Sequence, residues 1–436
     1  MPQRLDVIRR VRHLVAREAA ALAATVGRAG PDTLVAEVLP LAEAARFLQR
    51  RARAILAPVR PAGGRPLWLM GVRAEIRREP CGVVLILAPS NYPLFLPGAQ
   101  ALQALAAGNA VCVKPAPGCA APMLALLDIL RRAGLPDGVL QVLDTGDGEV
   151  ASQAGFDRIV LTGSAMTGVR VAHAAADTLT PATMELSGAD AVFVLPGADL
   201  DMVSACLAYG LRLNGGATCI APRRVFVPAN DAAALELRLL ARLSSIPDAA
   251  VPSAIATRLS HLLAQATGQG ARVASEGPGR PTVLADAHPD MALLQEDVFA
   301  PWLALVPVVD VDAALAASDA CPYALGASVF GPEPAALAFA ARVRAGSVCI
   351  NDLIVPTADP RLPFGGRGRS GFGSTRGAEG LMEMTVPKAI SLRRGRFRPH
   401  LAVPTPADAA RFAQMTALLH GTWRDRWTAL RGLAQR

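Results

Sequence analysis

Lysine is almost absent from this chain: 42 of its 44 basic residues are arginine, and the two lysines stand at 114 and 388. A chain so poor in lysine is expected to keep one where arginine will not serve. Lys114 closes the apolar stretch Val111-Cys-Val-Lys-Pro115, where a compact ammonium reaches a ligand hydroxyl or phosphate that a wide guanidinium would crowd. Chance survival of two surface lysines is the plainer alternative.

Paired cysteines are missing as well. The seven cysteines (81, 112, 119, 206, 219, 321 and 349) are odd in number and contain no C-x-x-C pair. That argues against a disulfide framework and a zinc site, and for a reducing compartment, so a cytoplasmic protein is expected. The six histidines show no H-E-x-x-H or similar spacing, and no metal chemistry is expected. Aromatic residues make up 4% of the chain and charged residues 18%, against 52% apolar. With 436 residues this describes a compact, Ala-rich globular protein of two or three domains.

Acidic residues are scarce only at one end. Residues 389–436 hold nine Arg and two Asp, which accounts for nearly all of the net charge of +8 and leaves the body close to neutral. A neutral body offers no electrostatic footprint for nucleic acid, and none is expected as a partner. Long apolar runs are lacking too. Residues 81–113 carry no charge, but Pro89, Asn91, Pro93, Pro97, Gly98, Gln100 and Asn109 interrupt them, so a buried strand, a loop and a helix explain the run better than a membrane span. Arg4 to Ala24 reads as an Arg-rich helix; Asp6, Glu18 and the lack of an apolar core argue against a targeting peptide.

What is present is an alternation. Val83–Ala88 and Ala110–Val113 read as strands with a helix at about 97–107 between them, followed by a helix over Met123–Ala133 and strands at Val139–Leu143 and Arg158–Leu161. A second series starts near Ala191–Leu195 and runs through Val225, Leu303–Val309, Ala327–Phe330 and Ser347–Ile350. Such a βα series predicts parallel sheets covered by helices on both faces.

Two side chains suggest chemistry. Cys219 lies in Asn214-Gly-Gly-Ala-Thr-Cys219, 34 positions after Glu185 of Glu185-Leu-Ser-Gly188. A thiol and a carboxylate beside small-residue turns suit a nucleophile and its base, although a single cysteine is more often a small buried hydrophobe. Gly163-Ser-Ala-Met-Thr-Gly168 follows a strand and opens a helix, where free N–H groups favour phosphate. The literal G-x-G-x-x-G at Gly366, Gly368 and Gly371 follows no clear strand and is rejected as a dinucleotide fingerprint.

Together these stretches resemble the aldehyde dehydrogenase superfamily over nearly all of residues 66–390. Pro89-Ser-Asn-Tyr-Pro93 is similar to the P-W-N-F/Y-P box, and Lys114-Pro115 to the K-P box. Thr162-Gly-Ser164 with Gly168 matches the cofactor turn, Glu185–Gly188 the E-L-G-G box and Cys219 the cysteine box. Gln295-Glu-Asp-Val-Phe-Ala-Pro301 resembles E-E-x-F-G-P, and Pro363–Gly366, Ser370-Gly371, Gly373 and Gly380-Leu381 the closing P-F-G-G…S-G-x-G…G-L series.

The resemblance implies an α/β fold: a doubly wound Rossmann-type cofactor domain over 1–187, with an oligomerisation strand at 68–80, and an α/β catalytic domain over 188–366. A return segment and a second oligomerisation strand follow at 367–390, where members that dimerise pair, and a basic amphipathic helical tail at 391–436. It implies NAD or NADP as cofactor, bound by Lys114, Gly163, Ser164, Gly168, Asp297 and Phe299, and oxidation of an aldehyde to a carboxylic acid. In that chemistry Cys219 attacks the carbonyl, Asn91 and the Cys219 N–H hold the oxyanion, and Glu185 activates water against the thioester. Tyr92, Phe95, Thr218, Ile220 and Phe364 are expected to line an apolar tunnel, with no Arg or Lys among them to read a substrate carboxylate, so an uncharged aldehyde is expected.

This chain departs from the pattern at Ala217 for Gln, Ser187 for Gly, Ala189 for Lys, Asp297 for Glu, Ala300 for Gly and Ser90 for Trp. Pro117 stands where many NAD-preferring relatives carry Glu, which favours tolerance of NADP. A CoA-acylating relative and a degenerate binding subunit are the alternatives; Glu185 argues against the first, and the joint presence of Asn91, Glu185 and Cys219 against the second. In the tail, Phe412, Met415, Leu419, Trp423, Leu430 and Leu433 fall at helical spacing, as one helix that docks on its own body or on a neighbouring subunit of a homodimer. A peripheral membrane contact is the sharper reading, given Trp, Leu and Arg on it and Arg393, Arg394, Arg396 and Arg398 just before it.

Overall fold

A computed structural model describes residues 1–28, 30–143, 155–277, 279–396 and 398–434. The chain forms two compact units, Met1–Val59 with Ile76–Lys388, and Arg60–Glu75 with Ala389–Arg436.

Strand β1 (Val72–Pro80) precedes the first sheet of the larger unit. That sheet contains β2 (Val83–Leu87), β3 (Ala110–Lys114), β4 (Leu140–Val142), β5 (Arg158–Gly163) and β6 (Ala182–Leu186). All five are parallel, in the order β6-β5-β2-β3-β4. Covered on both faces, they read as apolar runs: Val84, Leu85, Ile86 and Leu87 of β2 are all buried. The helix Phe95–Ala107, buried at every position, crosses from β2 to β3 and stops at Gly108, whose φ of 108° no side-chain-bearing residue adopts readily. It packs in one core with Ile8, Val11, Val15, Leu41, Ala45 and Leu48 of the N-terminal helices Pro2–Arg17 and Leu39–Ile55.

The second sheet follows with β7 (Asp190–Val194), β8 (Pro222–Pro228), β9 (Arg272–Ser275), β10 (Thr282–Ala285) and β11 (Trp302–Val308). After the short β12 (Tyr323–Ala324), β13 (Gly326–Phe330) and β14 (Ser347–Ile350) complete it. Its order is β14-β13-β7-β8-β11-β10-β9, parallel except for β9 against β10. Two short returning strands, β15 (Arg367–Gly368) and β16 (Gly371–Phe372), then pair backwards. β15 lies antiparallel to β12, and β16 runs antiparallel to β6 with Gly371 opposite Glu185, which adds a sixth strand to the first sheet. The fold is therefore α/β, with two helix-covered, mostly parallel sheets. β17 (Thr385–Arg393) pairs with β1 in a separate ribbon.

Three expectations change. The crossover helix starts at Phe95 rather than 97, because the buried Glu37 carboxylate accepts from Leu94 N (2.8 Å) and Phe95 N (3.0 Å) and caps the first turn from outside the segment. Helices Leu200–Arg212, Ala229–Leu243 and Ser253–Gly268 and strands β9 and β10 fall between the strands read from sequence. In the smaller unit the tail is two helices, Pro406–His420 and Trp423–Ala434, not one. Gly421 ends the first, and Thr422 starts the second by exchanging hydrogen bonds with Asp425 (Thr422 N to Oδ2 2.8 Å, Thr422 Oγ1 to Oδ2 2.7 Å).

Candidate active site

Cys219 sits just after the 3-10 turn Leu213–Gly216 and just before β8. Asn214, Gly215 and Gly216 have φ of 52°, 58° and 72°, and a Cβ on Gly216 would stand 2.6 Å from the Ala300 carbonyl oxygen. Glycine is needed there for the turn to lie against the 298–301 segment. The fully buried Arg223 fastens the two: its guanidinium donates to Gly216 O (2.5 Å), Ala300 O (2.6 Å) and Trp302 O (3.1 Å). The cysteine turn and the Gln295–Pro301 box thus share one bracket, a residue that sequence reading passed over.

Asn91 reaches the same turn from the loop after β2. Its Nδ2 donates to Ala217 O (3.0 Å), which leaves the second amide hydrogen free. The Asn91 carbonyl accepts from Arg28 NH1 (2.9 Å) and Asn214 Nδ2 (3.0 Å). Arg28 is also paired with buried Glu37 and stacks over the Tyr92 ring at 5.1 Å. So the Pro89–Pro93 loop is held by an ion pair from the N-terminal segment, Arg28 in the bend after the helix Ala19–Ala24 and Glu37 further along.

Glu185, 1% exposed, points from the end of β6. Its Oε2 accepts a 2.5 Å bond from Thr375 Oγ1, and its Oε1 is buried without a partner. Burial pushes its carboxyl above the usual range, while the Arg376 charge and the Thr375 hydroxyl act the other way. Arg376 itself is 8% exposed, donates to Thr357 O and stacks on Phe364 at 4.0 Å. The half-buried Cys219 thiol is pushed well above its ordinary range, first by desolvation and then by the carboxylates of Glu185 and Asp190; Arg376 opposes them. At neutral pH it is a thiol that needs a base. Asp190, raised to about 7 by burial, accepts from Gly326 N at 3.1 Å.

Two cavities meet at this pair. The larger, about 690 Å³, is lined by Asn91, Gly163, Ser164, Glu185, Ser187, Cys219, Asp297 and Phe299, with Arg258 and Arg369 added. The smaller, about 110 Å³, is lined by Tyr92, Phe95, Thr218, Ile220 and Phe364 together with Arg376, and shares Leu96, Glu185 and Cys219 with the first. Tyr92 Oη and Thr218 Oγ1 are hydrogen-bonded at 2.8 Å. Lys114 and Gly168 line neither cavity: Lys114 ends β3 half-buried, and Gly168 packs so closely on Leu186 that a Cβ would stand 2.6 Å from its Cδ1.

The larger cavity suits a dinucleotide. Ser164 caps the helix Ala165–Asp177, accepting from Thr167 N at 3.2 Å, so the unpaired N–H groups of the first turn border the cavity. Asp297 Oδ1 is buried with no partner, an acceptor that could take a hydroxyl of a bound ligand. Burial raises Asp297 to about 6 against the opposing pull of the neighbouring Ser187 hydroxyl and the Arg223 and Arg258 charges. Ser187 makes only a long 3.4 Å bond to Gly163 O, so it too is available to this carboxylate. Among the described residues no group of three or more His, Cys, Asp or Glu is placed to hold a metal ion.

The aldehyde dehydrogenase family model matches residues 1–390. A probable coniferyl aldehyde dehydrogenase of Pseudomonas aeruginosa is 32% identical over 410 residues, covering 89% of this chain and 86% of its own. A succinate-semialdehyde dehydrogenase [NADP(+)] of Mycobacterium ulcerans is 32% identical over 378 residues, 81% of each chain. In structure, a Mycobacterium tuberculosis aldehyde dehydrogenase complexed with NAD+ superposes with a TM-score of 0.84 at 25% identity, over 91% of this chain and 87% of that one.

Proposed function

The chain belongs to the aldehyde dehydrogenase family, and we propose that it acts through Cys219 as nucleophile, Glu185 as base and Asn91 as oxyanion donor. It oxidises an aldehyde to the carboxylic acid with NAD or NADP. The observation that carries the residue assignment is that Cys219 and Glu185 stand in the wall shared by the two cavities.

Glu185 takes the thiol proton as Cys219 Sγ adds to the aldehyde carbon. The carbonyl oxygen, now charged, takes the second Asn91 amide hydrogen and the Cys219 N–H, each worth roughly 3 kcal/mol. When bound, the oxidised nicotinamide supplies the hydride acceptor, and a thioester remains on Cys219. Glu185, having passed the thiol proton to solvent, then draws a proton from water as it attacks the thioester carbonyl; the Cys219 thiolate leaves and takes that proton back, and the acid is released. Asp297 and Phe299 would hold the nicotinamide ribose and ring, Gly163 and Ser164 the pyrophosphate, and Lys114 the adenosine ribose; Gly168 lets the helix approach. With Pro117 in place of an acidic side chain, nothing there repels a 2′-phosphate, which supports NADP as well as NAD.

An assay of NAD(P)H production from an aldehyde panel, with and without CoA, tests this. Free acid formed without CoA is expected. Turnover only with CoA, or none at all, would overturn it.

We also propose a cytoplasmic homodimer in peripheral contact with membranes. The ribbon β1–β17 exposes Val386, Ile390 and Leu392, and a two-strand ribbon is marginal alone. All seven cysteines are free, which supports a reducing compartment. Among the described residues no helix is long and apolar enough to cross a membrane, but Phe412, Trp423 and Trp427 are exposed on the tail helices. Sedimentation of wild type with anionic vesicles, absent for a Trp423→Ser, Trp427→Ser protein, is expected; equal sedimentation would refute the contact.

A further inference from the structure

The smaller cavity carries information about the substrate beyond the aldehyde group. Its charged lining residues are Glu185 and Arg376 alone. Arg376 lies in the field of Glu185, donates to Thr357 O and is stacked on Phe364, and its unpartnered Nε is buried out of reach of a ligand. A substrate carboxylate placed beside it would also meet Glu185. The Tyr92 hydroxyl is engaged with Thr218. The other walls are chiefly aliphatic or aromatic: Phe95, Leu213, Ile220, Ile354 and Phe364.

The same apolar character continues to the surface. Val35 and Val355 line this cavity yet are 63% and 53% exposed, and Leu39, four residues after Val35, is 56% exposed. Large aliphatic side chains gathered in water at the edge of a catalytic cavity mark a binding surface. The cavity, about 110 Å³, is too small to enclose a long chain, so a substrate that fills it must lie across this rim.

We propose that the site takes aldehydes with an extended, uncharged hydrocarbon tail, the carbonyl at Cys219 and the tail passing out over Val35, Leu39 and Val355. This rests on Cys219 being the nucleophile. It replaces a general preference for uncharged aldehydes with a preference for length.

The test is kcat/KM for straight-chain saturated aldehydes from propanal to decanal, with 6-oxohexanoate beside hexanal. A rise of about two- to fourfold per added methylene, continuing past hexanal, is expected from burial of about 0.8 kcal/mol per methylene at most. Hexanal should exceed 6-oxohexanoate about tenfold or more. A Val35→Ser, Val355→Ser protein, altered only at exposed side chains and checked for an unchanged Tm, should lose about tenfold in the decanal-to-propanal ratio. A flat profile above pentanal, equal use of 6-oxohexanoate, or an unchanged ratio in the variant, each with robust propanal turnover, overturns this inference alone. No turnover with any aldehyde overturns the assignment of Cys219 and this inference with it.

Discussion

Glu185 Oε2 accepts a 2.5 Å hydrogen bond from the hydroxyl of Thr375, 190 positions further along the chain. The bond exists because β16 pairs antiparallel with β6, setting Gly371 opposite Glu185 and delivering Thr375 and Arg376 to the base. Desolvation would otherwise favour the neutral carboxyl; the hydroxyl and the guanidinium favour the carboxylate.

Removing either should therefore raise the carboxyl's pKa further. A base works only when ionised, so activity is lost as pH falls through that pKa. In Thr375→Val and Arg376→Leu proteins the acid limb of the kcat profile moves to higher pH, and kcat at pH 7 falls about tenfold for each unit moved below the limb. A simple drop in kcat at every pH would show that the two residues matter only for packing.

Much of this arrangement could be read from the sequence, and the remainder had physical reasons to be hidden. Most strands of the two sheets announce themselves as short apolar runs, β6, β9 and β10 excepted, and Asn91, Glu185 and Cys219 sit in recognisable boxes. Thr375 and Arg376 carry no local signal; only strand register brings them to Glu185. Arg28 and Glu37 carry no local signal either; their role appears only when the loop after β2 is folded against them. The tail's spacing suggested one helix because hydrophobic periodicity does not register the restart at Thr422.

The Arg28–Glu37 pair should act through Asn91. Glu37→Gln leaves Arg28 without its buried partner and should cost about 3–5 kcal/mol of stability by chemical denaturation. Arg28→Ala should lower kcat about tenfold or more in the wild type, by the loss of an oriented oxyanion donor, yet have little further effect in an Asn91→Ala background. Additive losses in the double variant would contradict the link.

Asp297, raised to about 6, is ionised at neutral pH and becomes protonated as pH falls through that value. Only the ionised form accepts from two ribose hydroxyls, so KM for the cofactor should rise below about pH 6. Asp297→Asn should have a higher KM that no longer changes with pH. A wild-type KM constant from pH 5 to 8 would remove Asp297 from cofactor binding.

The Cys219 thiol, held above its ordinary range, should be poorly reactive in the free protein. Its alkylation by iodoacetamide, followed by peptide mass spectrometry, should be slow at pH 7 and still climbing at pH 10. A plateau below pH 8 would mean that the thiolate forms without help from Glu185.

The covalent step is the centre of the account, and trapping it is the most direct test. Glu185→Gln protein, mixed at raised pH with excess aldehyde and NAD or NADP, should release about one equivalent of reduced cofactor and then stall, with one acyl group per chain mapped to Cys219. Steady turnover without an adduct, or an acyl group on any of the other six cysteines, would contradict it.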